Sequence, residues 1–521
     1  MFNSTATAQP NQNARQRTGS RFEIFRQRTK SLLQPPRKVA EAPSSFESLK
    51  AIILSSWMNM LLVFIPVSWA LHFALPHSFA NRDTIIFVFS FLAIIPLAKL
   101  LGFATEELAM RVGQTLAGLL NATLGNAVEL IVAIIALVKC ELRVVQASLV
   151  GSILSNLLLV LGMCFFAGGL KYSEQGFGVS ATQLNSSLLT ISVIAVLLPA
   201  AFHFSSSNSD TGLSTGSEGK AILSVSHGVA IILLFIYAGY LTFQLWSHPD
   251  LYQDKGIHSI ESTKYDKPLF QGLHDKIHHI KHDRNGEASN SSSSPTYTTS
   301  PPHSPNLQSV QLRTNTFGSS GAAMTDSFHT SSVENPSSTE KEEEEIPTLS
   351  LWMTVILLVV VTTLVAITAE FLVTAIDGMT ETGPITKEFV GIILLPIVGN
   401  AAEHVTAVTV SVKDKLNLSL GVAVGSSIQI ALFVIPFIVT LAWILGKPLT
   451  LLFDPYESIS MFLAVLTVNY VVQDGKSNWL EGYILMSLYL ILAVTFWFYP
   501  GLFFCLTVSN SFSSFFLFSR L

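Results

Sequence analysis

Two glutamates stand at matching places in this sequence, and the residue types around them suit a hard cation. One segment, from Gly125, reads GNAVELIVAIIALVKCEL; another, from Gly399, reads GNAAEHVTAVTVSVKDKL. A shift of 274 residues lays Gly125, Asn126, Ala127 and Glu129 on Gly399, Asn400, Ala401 and Glu403. The register holds without a gap through Lys139 and Lys413 to Val150-Gly151-Ser152 and Val424-Gly425-Ser426, which marks an internal repeat. In each copy Asn precedes Glu by three residues, so both side chains fall on one helical face. Glu supplies two carboxylate oxygens, Asn a carbonyl oxygen, and the glycine lets backbone carbonyls come close. Calcium takes about six to eight oxygens in a flexible shell, and two such faces meeting supply most of it.

The helix after each motif adds Ser152, Ser155 and Asn156 in the first copy and Ser426, Ser427 and Gln429 in the second. Sulfur ligands are absent, which favours a hard cation over copper or a tetrahedral zinc site. Embedded Ser and Asn also serve as interhelical hydrogen-bond glue, and Ser152, Ser426 and Ser427 fit either role. His404 breaks the symmetry of the two motifs; it suits tuning of proton handling or cation choice, or a packing contact. An ionised Glu inside a bilayer is costly, and a desolvated carboxyl favours its neutral form. A divalent cation reverses that preference. Protons and the cation then compete for one site, which is antiport in its simplest form.

The elements that position these residues must be membrane helices. The chain has 521 residues, 49% apolar and 12% charged, with a mean hydropathy of +0.49. A soluble domain carries about twice that charged fraction. Apolar stretches near 51–75, 83–103, 114–138, 144–168, 181–203, 221–246, 349–373, 387–411, 417–446, 454–472 and 478–499 reach the length of roughly 20 residues that a spanning helix needs. The expected fold is an all-α polytopic membrane protein with 11 transmembrane helices, in which one extra helix precedes a 5+5 inverted repeat. The inversion follows from parity: Glu129 falls in the third span and Glu403 in the eighth, so their helices run oppositely through the bilayer.

Residues 1–50 hold nine Lys/Arg against three acids and read as a disordered basic cytosolic tail. Residues 51–246 then hold spans one to six. The stretch 247–347 is rich in Ser, Pro and charge and is expected to be a disordered cytosolic linker. Its run Glu342, Glu343, Glu344, Glu345 reads either as solvated linker or as a calcium-attracting regulatory element; His274, His278, His279 and His282 offer metal ligands in the same segment. Residues 348–499 hold spans seven to eleven, and 500–521 form an apolar tail. Lys139 and Arg143 fall on the non-cytosolic side in this topology, against the general rule. Glu106 and Glu107 at the end of span two, and Glu370 in span seven, are candidates for the access path. Asp454 and Glu457 read as helix-start acids. Cys140, Cys164 and Cys505 show no metal or disulfide spacing.

The chain resembles the cation/proton exchanger family, and within it the fungal vacuolar calcium/proton exchangers. GNAxEL matches Gly125–Leu130, GNAAEHxxAV matches Gly399–Val408, GSxxQIALFVxP matches Gly425–Pro436 and ATEELAxR matches Ala104–Arg111. The resemblance covers about 45–246 and 347–500. It implies a ten-helix inverted-repeat core behind one extra helix, alternate binding of Ca2+ and H+ by the two motif glutamates, and a place in the vacuolar membrane with its N-terminus in the cytosol. No cofactor is implied beyond the transported ions, and no nucleic-acid partner. The Phe/Ser-rich end after Pro500 has no counterpart in the family pattern.

Other readings remain. Manganese accepts the same oxygen ligands. Sodium/calcium exchange favours more neutral ligands than this acidic pair. A membrane metallopeptidase needs a motif such as HExxH, but His404 has no second histidine at helical spacing. A channel commonly builds its acidic ring from equivalent subunits, whereas this repeat lies within one chain. Oligomeric state is left open.

Overall fold

The computed structural model describes residues 42–252 apart from 77, 80, 113 and 208–214, together with 260–265 and 347–499. The basic N-terminal tail up to residue 41, most of the linker with its histidines and Glu342–Glu345, and the apolar tail from 500 lie outside the described residues.

Local sequence signals set the helix starts. Ser44 and Glu47 form a reciprocal capping box at the start of α1 (Ser45–Leu54), satisfying backbone donors that have no partner within the helix. A 3-10 stretch then leads into a continuous span, α2 (Trp57–Ala74). Next come α3 (Arg82–Ala109), α4 (Gln114–Leu124), α5 (Ala127–Val138) and α6 (Leu142–Gly169). After strand β1 (Tyr172–Gly176) the chain runs through α7 (Val179–Ser207) and α8 (Thr215–Thr242) to strand β2 (Thr263–Lys264). Ser350 caps α9 (Leu351–Thr382), and Thr386 caps α10 (Lys387–Gly399). Then follow α11 (Ala401–Val412) and α12 (Leu416–Ile444). Asp454, with Pro455 in the first turn, starts α13 (Pro455–Val471). Strand β3 (Lys476–Ser477) precedes α14 (Trp479–Phe498), which Asn478 caps.

Among the described residues eight helices are long and apolar enough to cross a membrane: α2, α3, α6, α7, α8, α9, α12 and α14. The pair α10 and α11, bent by 58° at Asn400, makes a ninth if it is one span. Two of the expected spans fall outside that group. The stretch 114–138 is interrupted between α4 and α5, and α13 has only 17 residues.

Several features of the first half recur in the second at or near the same shift. α5 and α11 have 12 residues each and are offset by 274, the sequence shift. α6 and α12 each carry a π-helical turn at equivalent places, Ser155–Val160 and Ile430–Val434. Cys140 and Asp414, also 274 apart, both take left-handed backbone, φ 65° and 64°.

α3 and α9 lie against one another along their length. Ala93, Leu97, Leu101 and Ala104 on α3 and Val365, Ala369 and Ile376 on α9 are all buried in the core, and small residues allow helices to approach closely where lipid gives no hydrophobic drive. α6 crosses α10 at Gly391, where an added Cβ would stand 2.5 Å from Ala147 Cβ. Many bundle surfaces stay apolar and exposed, among them Phe235, Trp352, Ile444 and Phe498, as a lipid-facing surface requires.

Two features depart from the expectation of an all-helical bundle and a disordered linker. β1, β2 and β3 form a small antiparallel sheet in the order β2-β1-β3. β2 belongs to the linker, and Tyr265 beside it donates to the Gly169 carbonyl at 2.9 Å. Two-residue strands leave too little alternation to be seen in a sequence. The sheet gathers the end of α6, the linker and the start of α14 at one end of the bundle. The α5–α6 turn stands at the other end of α6.

Candidate functional site

Each motif lies at a helix break. Asn126 separates α4 from α5 and Asn400 separates α10 from α11, with φ,ψ of −101°, 31° and −89°, 2°. Glu129 and Glu403 therefore sit in the first turns of α5 and α11, where free backbone N–H groups and the positive helix end favour a carboxylate. Asn126 is 1% exposed, Asn400 0% and Glu129 9%, while Glu403 is half-buried.

Ser426 on α12 joins the two halves. Its Oγ donates to Asn126 Oδ1 at 2.7 Å and accepts from Asn156 Nδ2 at 3.1 Å. Asn156 lies in the π-helical turn of α6, a distortion frequent at functional sites. The buried acceptors Asn156 Oδ1, Asn400 Oδ1 and Glu403 Oε2 have no protein partner. Such atoms are rare in protein interiors, and oxygens of this kind are what a hard cation takes as ligands. Among the described residues no three His, Cys, Asp or Glu side chains converge, so the oxygens gathered here belong to the two glutamates and to neutral side chains.

The two glutamates face different spaces. Glu403, Ser426 and Gln429 line a cavity of about 630 Å³, together with Gly125, Asn121 and Glu106. This cavity reaches Thr182 at the start of α7 and Asn417 at the start of α12, which is the sheet end of the bundle. Glu129, Ser148 and Ser152 line a separate void of about 20 Å³. Val128 and Gly399 border both spaces. A Cβ built on Gly399 would stand 2.5 Å from Glu129 Oε1, so the carboxylate rests against this glycine. A third cavity, of about 780 Å³, opens at the other end of the bundle among Glu141, Arg143, Glu381, Lys387, Glu388 and Asp454.

The remaining expected site residues divide. Glu106 is exposed and lines the wide cavity. Its neighbour Glu107 is 2% exposed and accepts from the backbone N–H groups of Thr348 (3.1 Å) and Leu349 (3.2 Å), and from the Thr348 hydroxyl. It also pairs with Arg111 at 3.6 Å, so it fastens the end of α3 to the chain entering α9 and lines none of these cavities. Glu370 is exposed and pairs with Lys139 at 3.2 Å. His404 lines none of these cavities either; its Nε2 lies 3.5 Å from Ser155 Oγ across the two halves. Asp454 accepts from the Tyr499 hydroxyl at 2.8 Å besides capping α13. Cys140 is exposed beside Lys447 and Cys164 is buried, both as free thiols.

Sequence reasoning passed over Lys99, Asn121, Thr406 and Ser148, which line the same spaces. For Lys99 a signal was present, since it is the sole basic residue in α3 after Arg82.

Comparison with known proteins places this geometry. The chain is 54% identical over 490 residues to a vacuolar calcium ion transporter of Cryptococcus neoformans var. grubii, covering 92% of this chain and 79% of that protein. It is 39% identical over 443 residues to a Ca2+/H+ antiporter of Synechocystis, covering 85% of this chain and 97% of the relative. Among solved structures, the Ca2+/H+ antiporter protein YfkE superposes with a TM-score of 0.57 at 27% identity, covering 84% of this chain and 98% of that one. The profile of the sodium/calcium exchanger protein family matches residues 82–246 and 353–498, and the chain belongs to that family.

Proposed function

We propose that this chain is a multi-pass antiporter of the vacuolar membrane that exchanges cytosolic Ca2+ for lumenal H+ by alternating access at Glu129 and Glu403. The observation that carries the reading is the placement of the two carboxylates. They start equivalent helices and face two spaces that Val128 and Gly399 both border. A site of this kind passes an ion from one side to the other without a continuous pore. The names of the Cryptococcus and Synechocystis relatives support calcium, protons and the vacuole.

In the proposed architecture α2 is the extra helix, and ten spans follow as a 5+5 inverted repeat. The recurring element boundaries, the paired π-helical turns and the twin left-handed residues Cys140 and Asp414 support the repeat. With the N-terminus cytosolic, an odd number of crossings separates the copies, and the sheet end of the bundle is the cytosolic end. The wide cavity at Glu403 is then open to the cytosol, and the Glu141–Asp454 cavity faces the lumen.

In the exchange cycle a cytosolic Ca2+ enters the wide cavity and displaces protons from the two carboxyls, with Asn126, Asn400 and Asn156 adding neutral oxygens. An empty pair of anions is too costly to reorient in a low-dielectric setting, so reorientation needs either Ca2+ or protons aboard. Uptake of ⁴⁵Ca into vesicles with an acid interior tests this. Glu129→Gln and Glu403→Gln are each expected to abolish proton-driven uptake, and a protonophore to collapse it in the wild type. Full uptake by either variant, or uptake that follows a sodium gradient, refutes the proposal. Competing Mn2+ in the same assay reads the preference between the two cations.

A further inference from the structure

Lys99 is an ammonium group set inside a pathway for cations. It projects from α3 into the cavity that Glu403 lines, on the face that carries Gly102 and Glu106 toward the mouth. Seven residues separate Lys99 from Glu106, about 10 Å along a helix, so an ion entering past Glu106 meets Lys99 before Glu403. The Lys99 amine reaches Thr406 Oγ1 at 3.5 Å and forms no ion pair with a described carboxylate. Thr406 follows Glu403 by one turn of α11, and Glu403 Oε2 has no protein partner.

A lysine in a membrane interior is expensive and ordinarily pairs with an acid or with backbone carbonyls. Here it rests on a neutral hydroxyl, one helical turn from an unpartnered carboxylate oxygen. The flexible four-carbon stem of lysine spans that step by a change of rotamers. We propose that Lys99 is a tethered counter-cation: its ammonium swings between Thr406 and Glu403, pairs with Glu403 once the carboxyl has lost its proton and before calcium binds, and is driven back to Thr406 as calcium arrives. The proposal rests on Glu403 being the cation site. Lys99 is thus a positioning residue that holds calcium affinity down on the side where the ion enters and keeps a bare anion from standing in the cavity. It also selects for charge, because a divalent cation displaces the ammonium more readily than a monovalent one does.

The test measures the calcium KM of proton-driven uptake into acid-inside vesicles for the full chain. Lys99→Met and Lys99→Gln remove the charge, and each is expected to lower KM about fivefold. That is the repulsion between an ammonium and a divalent cation about 8 Å apart through water. Lys99→Arg keeps the charge and is expected to retain the wild-type KM within about twofold. Thr406→Val removes the resting place of the amine and is expected to raise KM. A KM that stays unchanged or rises in both neutral variants overturns the proposal, as does an equal fall in Lys99→Arg. A purely structural role moves maximal rate and protein abundance in all variants without the KM pattern set by charge. The Glu403→Gln variant separates the two levels: if it transports normally the site reading fails, whereas a dead Glu403→Gln with unchanged neutral variants refutes the role of Lys99 alone.

Discussion

Gly399→Ala is the most economical perturbation of the two-glutamate site. The new methyl carbon would lie 2.5 Å from Glu129 Oε1 and 3.2 Å from Glu129 Cδ. Ordinary contact begins near 3.4 Å, so the carboxylate must retreat by about 1 Å. The obstacle is the tip of a flexible side chain, and a shift of that kind costs the fold little. The protein should therefore fold and insert normally. Function is a different matter. Calcium ligands must come within about 2.3–2.6 Å of the ion, and a displacement near 1 Å at a reacting group commonly costs about 100-fold. A 10- to 100-fold fall in proton-driven ⁴⁵Ca uptake is expected, equivalent to about 1.4–2.7 kcal/mol.

The control is Gly425→Ala, also at the wide cavity, where an added Cβ meets nothing within 4 Å. It should transport within about twofold of wild type. Both variants are compared at equal protein abundance and with their melting temperatures in detergent. Uptake by Gly399→Ala within twofold of wild type, at normal abundance, refutes the claim that the Glu129 carboxylate must rest on Gly399. A loss matched by a collapse in melting temperature refutes it equally, since the effect then belongs to the fold.

Two further perturbations separate fastening from transport. Glu107→Gln breaks the buried pair with Arg111 and weakens the bonds to Thr348 and Leu349; it should cost about 2–4 kcal/mol of stability, read as a lower melting temperature, with the calcium KM of surviving protein unchanged. Glu141 lies in the turn before α6, where burial and then the Asp377 carboxylate hold its carboxyl above the ordinary range while Lys387, 3.5 Å away, pulls it down. The native state therefore binds this proton more tightly than the unfolded chain does, so its stabilisation is full below the ordinary value of 4.5 and is lost as pH rises through the raised one. Glu141→Gln should flatten the slope of melting temperature as pH rises above 4.5; an unchanged slope contradicts the assignment.

How far the sequence could be read depended on the range of the physics involved. Eight membrane helices were legible because each is a long run of apolar residues, and the placement of Glu129 and Glu403 in the first turns of two helices because a fixed shift aligns them without coordinates. Neighbouring acids were not separable in this way. Glu106 and Glu107 share a motif, yet one faces the wide cavity and the other is sealed among the backbone donors of residues 348 and 349. That difference comes from the helix face each occupies against a segment some 240 residues away. The small sheet was hidden for a related reason, since β2 and β3 contribute two residues each and exist through pairing rather than propensity. Lys99 was present as an isolated charge in an apolar helix but gains meaning only from its position between Glu106 and Glu403.

The chemistry of one hydroxyl ties these parts together. Ser426 donates its single hydrogen to Asn126 Oδ1 and accepts from Asn156 Nδ2, so one residue of α12 holds two side chains from the first half of the sequence. Ser426 also lines the wide cavity beside Glu403. A cation that takes Asn126 Oδ1 or Asn156 Oδ1 as a ligand must therefore compete with, or lean on, a hydroxyl from the other motif's following helix. On the proposed reading the two motifs are coupled through that hydroxyl: Asn126 and Asn156 come from the first motif region, Ser426 and Glu403 from the second, and neither supplies the whole ligand shell by itself.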